Sequence, residues 1–72
     1  MFDEKTKFGD RFLLRDGSLA VFLVYRENAR VKWGEFAVFD TKRNEYAGVL
    51  NFRADGHCYD QSPDWDIIKK IE

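Results

Sequence analysis

The chain has 72 residues, a formal net charge of −1 and a pI of about 5.8. Such a length forms one domain, and a domain this small buries only about 60% of the surface that its unfolded chain exposes. The near-neutral charge argues against strong sequence-independent binding to nucleic acid. The longest apolar run is well short of the roughly 20 residues that cross a bilayer.

The single cysteine, Cys58, and the single histidine, His57, provide neither an internal disulfide nor a four-ligand zinc set. We therefore expect no metal or cofactor. An unpaired cysteine and the lack of a leader-like start predict a cytoplasmic protein. Stability must then come from the seven Phe, three Tyr and two Trp, together with self-association.

The first elements are an arm and a short strand. Residues 1–7 are polar apart from Phe2 and show no periodicity, which predicts a loose arm. In residues 11–15, Phe12 and Leu14 alternate with more polar positions, as in a half-buried strand.

The next stretch, residues 14–25, contains the longest apolar run and organises the sequence. Asp16-Gly17 predicts a two-residue type I′ turn, so Gly17→Val should be more costly than Ser18→Val. The strand that follows, residues 19–26, is apolar on both faces. We therefore expect it to be central, covered on both sides or at an interface.

Further strands are predicted at residues 35–40, 45–52 and 57–60, with a hairpin loop at 41–44. Gly48 within the second of these strands indicates a bulge or a bend.

At the C-terminal end, Ser62-Pro63 is typical of the start of a helical turn. Residues 66–71 fit a closing strand or a short helix on the sheet. The adjacent β-branched residues Ile67 and Ile68 favour the strand, preceded by a 3₁₀ turn.

The fold class predicted is mainly β, either a small, strongly bent antiparallel sheet or an SH3-like barrel of five to six strands. Residues 8–72 would form this single barrel domain, after the arm at 1–7.

Several short motifs follow one another along the chain: Gly9-Asp10-Arg11-Phe12, Arg15-Asp16-Gly17, Ala20-Val21-Phe22, Asp55-Gly56 and Asp64-Trp65-Asp66-Ile67-Ile68. Together they resemble short uncharacterised small β-barrel proteins common in bacterial and phage genomes. The resemblance implies a fold more than a function. The Asp-Trp-Asp-Ile-Ile tail is also similar to the ending of the phage anti-Thoeris nucleotide-sponge family.

Residues that could support catalysis are few. His57 and Cys58 are adjacent, so on a strand they point to opposite faces and cannot form a dyad. Cys58 is interpreted as a small core residue and His57 as an exposed turn residue. Most carboxylates occur at turns, and no phosphate-loop, dinucleotide or zinc-protease motif occurs. We therefore predict that the protein is not an enzyme.

The sequence favours a binding function over catalysis. The first hypothesis is a phage-related interaction module that acts by protein–protein contact and forms a homo-oligomer. Its predicted interface residues are Phe22, Val24, Tyr25 and Phe39.

The alternative is a small-molecule or nucleotide binder, in which cations flank an aromatic platform. Its predicted ligand-binding residues are Arg26, Arg30, Lys32 and Trp33. A solvated hairpin face of mixed charge also explains these four residues.

Overall fold

The computed structural model describes residues 1–59 and 63–71, and in this part of the chain the fold is one antiparallel sheet without an α-helix. Its elements are β1 (Arg11–Leu14), β2 (Leu19–Glu27), β3 (Lys32–Asp40), β4 (Glu45–Arg53), a 3₁₀ turn (Pro63–Trp65) and β5 (Ile67–Ile71). The strand order is β4-β3-β2-β1-β5, which makes the apolar strand β2 central, as predicted.

The sheet is not closed into a barrel. Strands β4 and β5 form its two edges and do not pair with each other. The chain after β4 fills part of the gap, because Phe52 forms a bridge with Cys58 and the amide of Ile67 donates to the carbonyl of Gly56 at 2.8 Å. The antiparallel sheet is therefore confirmed, whereas the barrel closure proposed for residues 8–72 is absent.

Strand β5 confirms the closing strand predicted near the C-terminus, and the 3₁₀ turn precedes it as expected. The alternative, a short helix, does not form. Of the strand predicted at residues 57–60, the structure shows only the bridge at Cys58, and Asp60 lies outside the described residues. Strand β3 begins at Lys32, earlier than the sequence pattern predicted.

The turn between β1 and β2 differs from the predicted type I′ turn. The amide of Gly17 donates to the carbonyl of Leu14, and the amide of Leu14 donates to the carbonyl of Ser18, both at 2.9 Å. Gly17 has a φ of 93°, but Asp16 is not among the residues with positive φ. The loop is therefore the three-residue kind, in which a type I turn is followed by a glycine bulge.

The second Asp-Gly turn repeats this geometry. Gly56 donates to the carbonyl of Arg53 at 2.8 Å, and the amide of Arg53 donates to the carbonyl of His57 at 2.8 Å. In both turns the aspartate also caps the loop: Asp16 accepts from the amide of Ser18 and Asp55 from the amide of His57. The faint sequence similarity of the two turns thus corresponds to one shared backbone arrangement.

The core lies on one face of the sheet and is built around Phe36. Its ring centroid lies 5.0 to 5.4 Å from those of four other phenylalanines, in edge-on packing that favours aromatic pairs. The buried apolar residues are Phe2, Phe12, Leu14, Ala20, Phe22, Phe36, Val38, Phe52, Cys58 and Ile67. Aromatic density therefore stabilises this small domain, as the composition predicted.

Phe2 shows that the first residues are not the loose arm that the sequence predicted. Its side chain is only 5% exposed and packs against Phe12, Phe22 and Phe36. Its amide also donates to the carbonyl of Ala54 at 3.2 Å. The N-terminal segment therefore closes one side of the core.

Irregular pairing occurs in three of the strand pairs of the sheet, one of which is β1–β5. The register between β2 and β3 shifts between Phe22 and Val24, and that between β3 and β4 shifts between Val38 and Phe39. The second shift lies opposite Gly48, whose φ is 113°, so the bulge predicted there is confirmed. Bulges increase local twist, which helps a single sheet to curve over its own core.

Candidate functional site

The face of the sheet opposite the core carries two rows of mainly apolar side chains that cross all five strands. We call this surface, formed by the ten residues of the two rows, the outer face. Because directly paired residues project from the same side of a sheet, the strand register defines each row. The first row is Ile71, Arg11, Val21, Ala37 and Val49, and the second is Lys69, Leu13, Leu19, Phe39 and Tyr46.

Side chains of the outer face are half-buried or exposed, and the core cluster contains none of them. Tyr46 is 62% exposed and Val49 is 49% exposed, both on the edge strand β4. Leu19 and Val21 on the central strand are half-buried by their sheet neighbours. The outer face is thus a mainly apolar surface that crosses the sheet, with the cations Arg11 and Lys69 toward the β5 edge.

Charge is unevenly distributed on the outer face. The cations Arg11 and Lys69 lie on the β1–β5 half. Glu35 on β3 lies outside the two rows, in the next row beyond Ala37, where it is paired with Val24. Its carboxylate forms an ion pair with Arg26. The β1–β5 half is therefore basic, whereas the β3–β4 half within the two rows is apolar and aromatic.

The four predicted interface residues do not share one surface. Phe22 is 3% exposed and belongs to the core, so it cannot contribute to an interface of the folded chain. Tyr25 packs against the core, with its ring centroid 6.4 Å from that of Phe2. Phe39 lies on the outer face, and Val24 lies on the same side of the sheet, in the row beyond Val21 and Ala37.

A second candidate site is a cleft between the start of β3 and the turn that follows β4. Its volume is about 520 Å³. The lining residues are Arg30, Val31, Lys32, Arg53, Ala54, Asp55 and Tyr59. We call this cavity the basic cleft, because it has three cationic side chains and one carboxylate.

A smaller cavity of about 290 Å³ adjoins the basic cleft and shares Val31 and Tyr59 with it. Its other lining residues are Asn28, Trp33 and Asn51. Tyr59 therefore lies between a cationic compartment and an aromatic one. We call this second cavity the aromatic pocket.

Hydrogen bonds from backbone amides hold the walls of the basic cleft in place. The carboxamide oxygen of Asn28 accepts from the amides of Arg30 and Val31, each at 2.9 Å. Across the cleft, the amide of Ala54 donates to the carbonyl of Lys32 at 3.2 Å. The connection between β2 and β3 is thus a capped turn fixed to the end of β4.

Three of the four predicted ligand-binding residues meet at these cavities. Arg30 and Lys32 line the basic cleft, and Trp33 lines the aromatic pocket. Arg26 lines neither cavity and is instead paired with Glu35.

Arg53 and Tyr59 also line the cavities, and sequence reasoning missed them. The strand register brings Arg53 beside Trp33, and the amide of Tyr59 donates to the carbonyl of Asn51 at 3.0 Å. Recognising the β3–β4 hairpin and the turn at Gly56 together would have placed both residues near Trp33.

His57 and Cys58 occupy the positions predicted for them, exposed and buried respectively. The Nδ1 atom of His57 lies 3.2 Å from Oδ2 of Asp66, and Oδ1 of Asp66 accepts from the amide of Cys58 at 2.9 Å. Burial raises the pKa of Asp66, but the Cys58 amide and His57 outweigh it and hold the pKa of this carboxyl below its usual range. This carboxylate therefore ties the second Asp-Gly turn to the start of β5.

Within residues 1–59 and 63–71, no group of three His, Cys, Asp or Glu side chains is placed to hold a metal ion. The same part of the chain has no helix of the length and apolarity needed to cross a membrane.

Comparison with protein-family models, curated proteins and solved structures gave no match to this chain. The resemblance to small bacterial and phage proteins therefore stays a prediction.

Proposed function

We propose that the protein is a non-enzymatic interaction module that self-associates through its outer face. The observation that supports this is the pair of rows that crosses all five strands and is apolar at every position except Arg11 and Lys69. An apolar patch of a few hundred Å² matches the largest patch on a typical monomer, and such a patch is often a functional surface. In an 8.5 kDa domain, covering this face would add burial that the core cannot supply.

A second copy of the chain fits this face when two sheets stack with a two-fold axis parallel to β2. This operation places β5 of one copy over β4 of its partner and keeps the rows in line. Lys69 of one copy then faces the ring of Tyr46 of the other, and a cation–π interaction attracts the ammonium group to this ring. Ile71 faces Val49, so apolar side chains meet between sheets about 10 Å apart.

The other two-fold axis in this plane is perpendicular to β2 and is unfavourable. It would place β5 over β5 and bring Arg11 and Lys69 of both copies together at one end. Like charges that approach each other in a desolvated interface repel. The charge distribution therefore favours the axis parallel to the strands.

The footprint of the outer face indicates a modest affinity. Five strands, each about 4.8 Å wide, and two rows, each spanning two residues with a rise of about 3.4 Å, give roughly 24 Å by 14 Å. The area of this footprint is well below that of a standard interface, which buries about 800 Å² on each partner. We therefore expect a monomer–dimer equilibrium in the micromolar range.

Sedimentation velocity across the micromolar range tests the proposal. The expected result is a concentration-dependent shift from 8.5 kDa toward twice that mass. A chain that stays monomeric at every concentration would refute self-association and would leave the outer face to a different protein.

Two substitutions of Val49 test the symmetry. In the parallel arrangement Val49 faces the basic half of the partner, so Val49→Lys should weaken the dimer and Val49→Glu should weaken it less or strengthen it. In the perpendicular arrangement the two variants would behave alike. Phe8→Lys is the control, because Phe8 is exposed and lies outside both rows.

A further inference from the structure

We propose that the basic cleft and the aromatic pocket together bind a nucleoside phosphate or a similar small molecule in which a phosphate is joined to a flat ring. The site is distinct from the outer face, so this inference does not depend on self-association. Its basis is the positive charge of the basic cleft, the volumes of the two cavities and the fact that the cavities adjoin each other.

The charge of the basic cleft favours a phosphate. Arg30, Lys32 and Arg53 line it against one carboxylate, Asp55, in a chain whose net charge is −1. Asp55 is partly engaged, because its Oδ1 accepts from the His57 amide at 3.0 Å. The excess positive charge of the cleft is therefore a local feature of the fold.

The cations of the cleft are less neutralised than many others on the surface. In the described part of the chain, neither Arg30 nor Lys32 forms an ion pair, and Arg53 approaches Asp55 only at 4.0 Å. Arg43, by contrast, lies 3.9 Å from carboxylates of both Asp40 and Glu45. A phosphate in the cleft would thus gain charge-assisted hydrogen bonds without displacing strong internal pairs.

The aromatic pocket explains why the ligand should carry a ring. Tyr59 lines both cavities, and Trp33 lies in the smaller one beside Asn51. Aromatic side chains stack on planar bases, and this stacking is tolerant of base identity. Volumes of about 520 and 290 Å³ lie close to the range of small-molecule sites, which is about 300–1,000 Å³.

A free small molecule suits the site better than a nucleic-acid strand. The cationic groups are gathered in one cleft rather than in a track along the surface, and the chain as a whole is slightly acidic. Binding of single strands normally uses a basic groove that follows several successive phosphates. We therefore expect one phosphorylated ring for each chain.

Calorimetric titration of the full chain tests the proposal with four probes: a panel of ribonucleoside diphosphates, inorganic phosphate, the unphosphorylated nucleosides and a short single-stranded oligonucleotide. At least one diphosphate should bind more tightly than phosphate or nucleoside alone, and rising salt should weaken it. No binding of any diphosphate would overturn the proposal. Tighter binding of the oligonucleotide than of every diphosphate would overturn the small-molecule assignment.

Variants separate the two halves of the site. Lys32→Gln should weaken diphosphate binding by about tenfold or more, the usual effect of losing one charged hydrogen bond. Tyr59→Ala should weaken diphosphate binding but leave inorganic phosphate unaffected. The matched control is Arg43→Gln, since Arg43 is equally cationic, exposed and remote from both cavities. An equal loss in Lys32→Gln and Arg43→Gln would indicate general charge attraction and would refute the site.

Discussion

The ring of Phe2 occupies the space that a side chain at Gly34 would need: a Cβ atom at Gly34 would lie 2.7 Å from Cε2 of Phe2. This contact fixes the N-terminal segment over β3, where Phe2 also packs edge-on against Phe36 with ring centroids 5.0 Å apart. Glycine at position 34 is therefore explained by the close approach of a ring and not by an unusual backbone conformation.

Phe2→Ala should destabilise the fold by about 3–5 kcal/mol, because it empties a buried aromatic site. Phe8→Ala is the control: Phe8 is 77% exposed, so its loss should change the free energy of unfolding by no more than about 0.5 kcal/mol. Urea denaturation measures both values. Equal and small losses would mean that the N-terminal segment is loose in solution.

Gly34→Ala should cost about 1–3 kcal/mol through overpacking against Phe2 and Phe36. In a Phe2→Ala background the methyl group has more room, so the same substitution should cost clearly less. A double-mutant cycle on the free energy of unfolding measures this coupling. Additive losses would contradict direct contact between the two positions.

Much of the sheet was predictable because alternation is a local signal. Phe12 and Leu14 are buried on one face, as predicted, and so are Phe36 and Val38. The position of Phe2 was not predictable in this way. A lone apolar residue in a polar segment has no period, and its partner Gly34 is distant in sequence.

The residues of the candidate sites also divide into those that a local pattern reveals and those that only long-range pairing brings together. Arg30, Lys32 and Trp33 are close in sequence, so one local pattern identified them. Arg53 and Tyr59 join them only through strand register and the turn at Gly56, which depend on long-range pairing. The outer face was anticipated in part, because β2 was recognised as apolar on both sides, but its rows require the register of all five strands.

Gly17→Val should cost about 1–3 kcal/mol, and the reason is backbone conformation alone. A Cβ at Gly17 would meet nothing within 4 Å, yet its φ of 93° is rarely adopted by residues with side chains. Gly17→Asn should cost less, since Asn tolerates positive φ better than a β-branched residue does. Thermal denaturation compares the two, and equal losses would exclude φ as the cause.

The sequence predicts that Ser18→Val lowers the free energy of unfolding less than Gly17→Val does. In the structure, Ser18→Val is not a suitable control for Gly17→Val. Ser18 is fully buried, and its hydroxyl donates to Oδ2 of Asp16 at 3.1 Å. Replacing it with Val leaves the Asp16 oxygen without that donor and forces a larger group into a packed site. We therefore expect a loss of about 1–3 kcal/mol for Ser18→Val as well.

Asp66 should make the stability of the fold depend on acidity. The folded-state pKa of Asp66 is lowered: burial opposes the charge, but the hydrogen bond from the Cys58 amide and the proximity of His57 outweigh it. A lowered folded-state pKa means that the carboxylate stabilises the fold above its unfolded pKa of about 3.9, and that this stabilisation is lost as pH falls through the folded-state pKa.

Asp66→Asn should therefore reduce the free energy of unfolding at about pH 5, and its difference from wild type should shrink toward about pH 2. Urea denaturation across this range measures the difference at each pH. Asp64→Asn is the matched control, because Asp64 is exposed and its side chain forms neither an ion pair nor a hydrogen bond among the described residues. A constant difference between wild type and Asp66→Asn down to about pH 2 would show that the charge of Asp66 does not stabilise the turn.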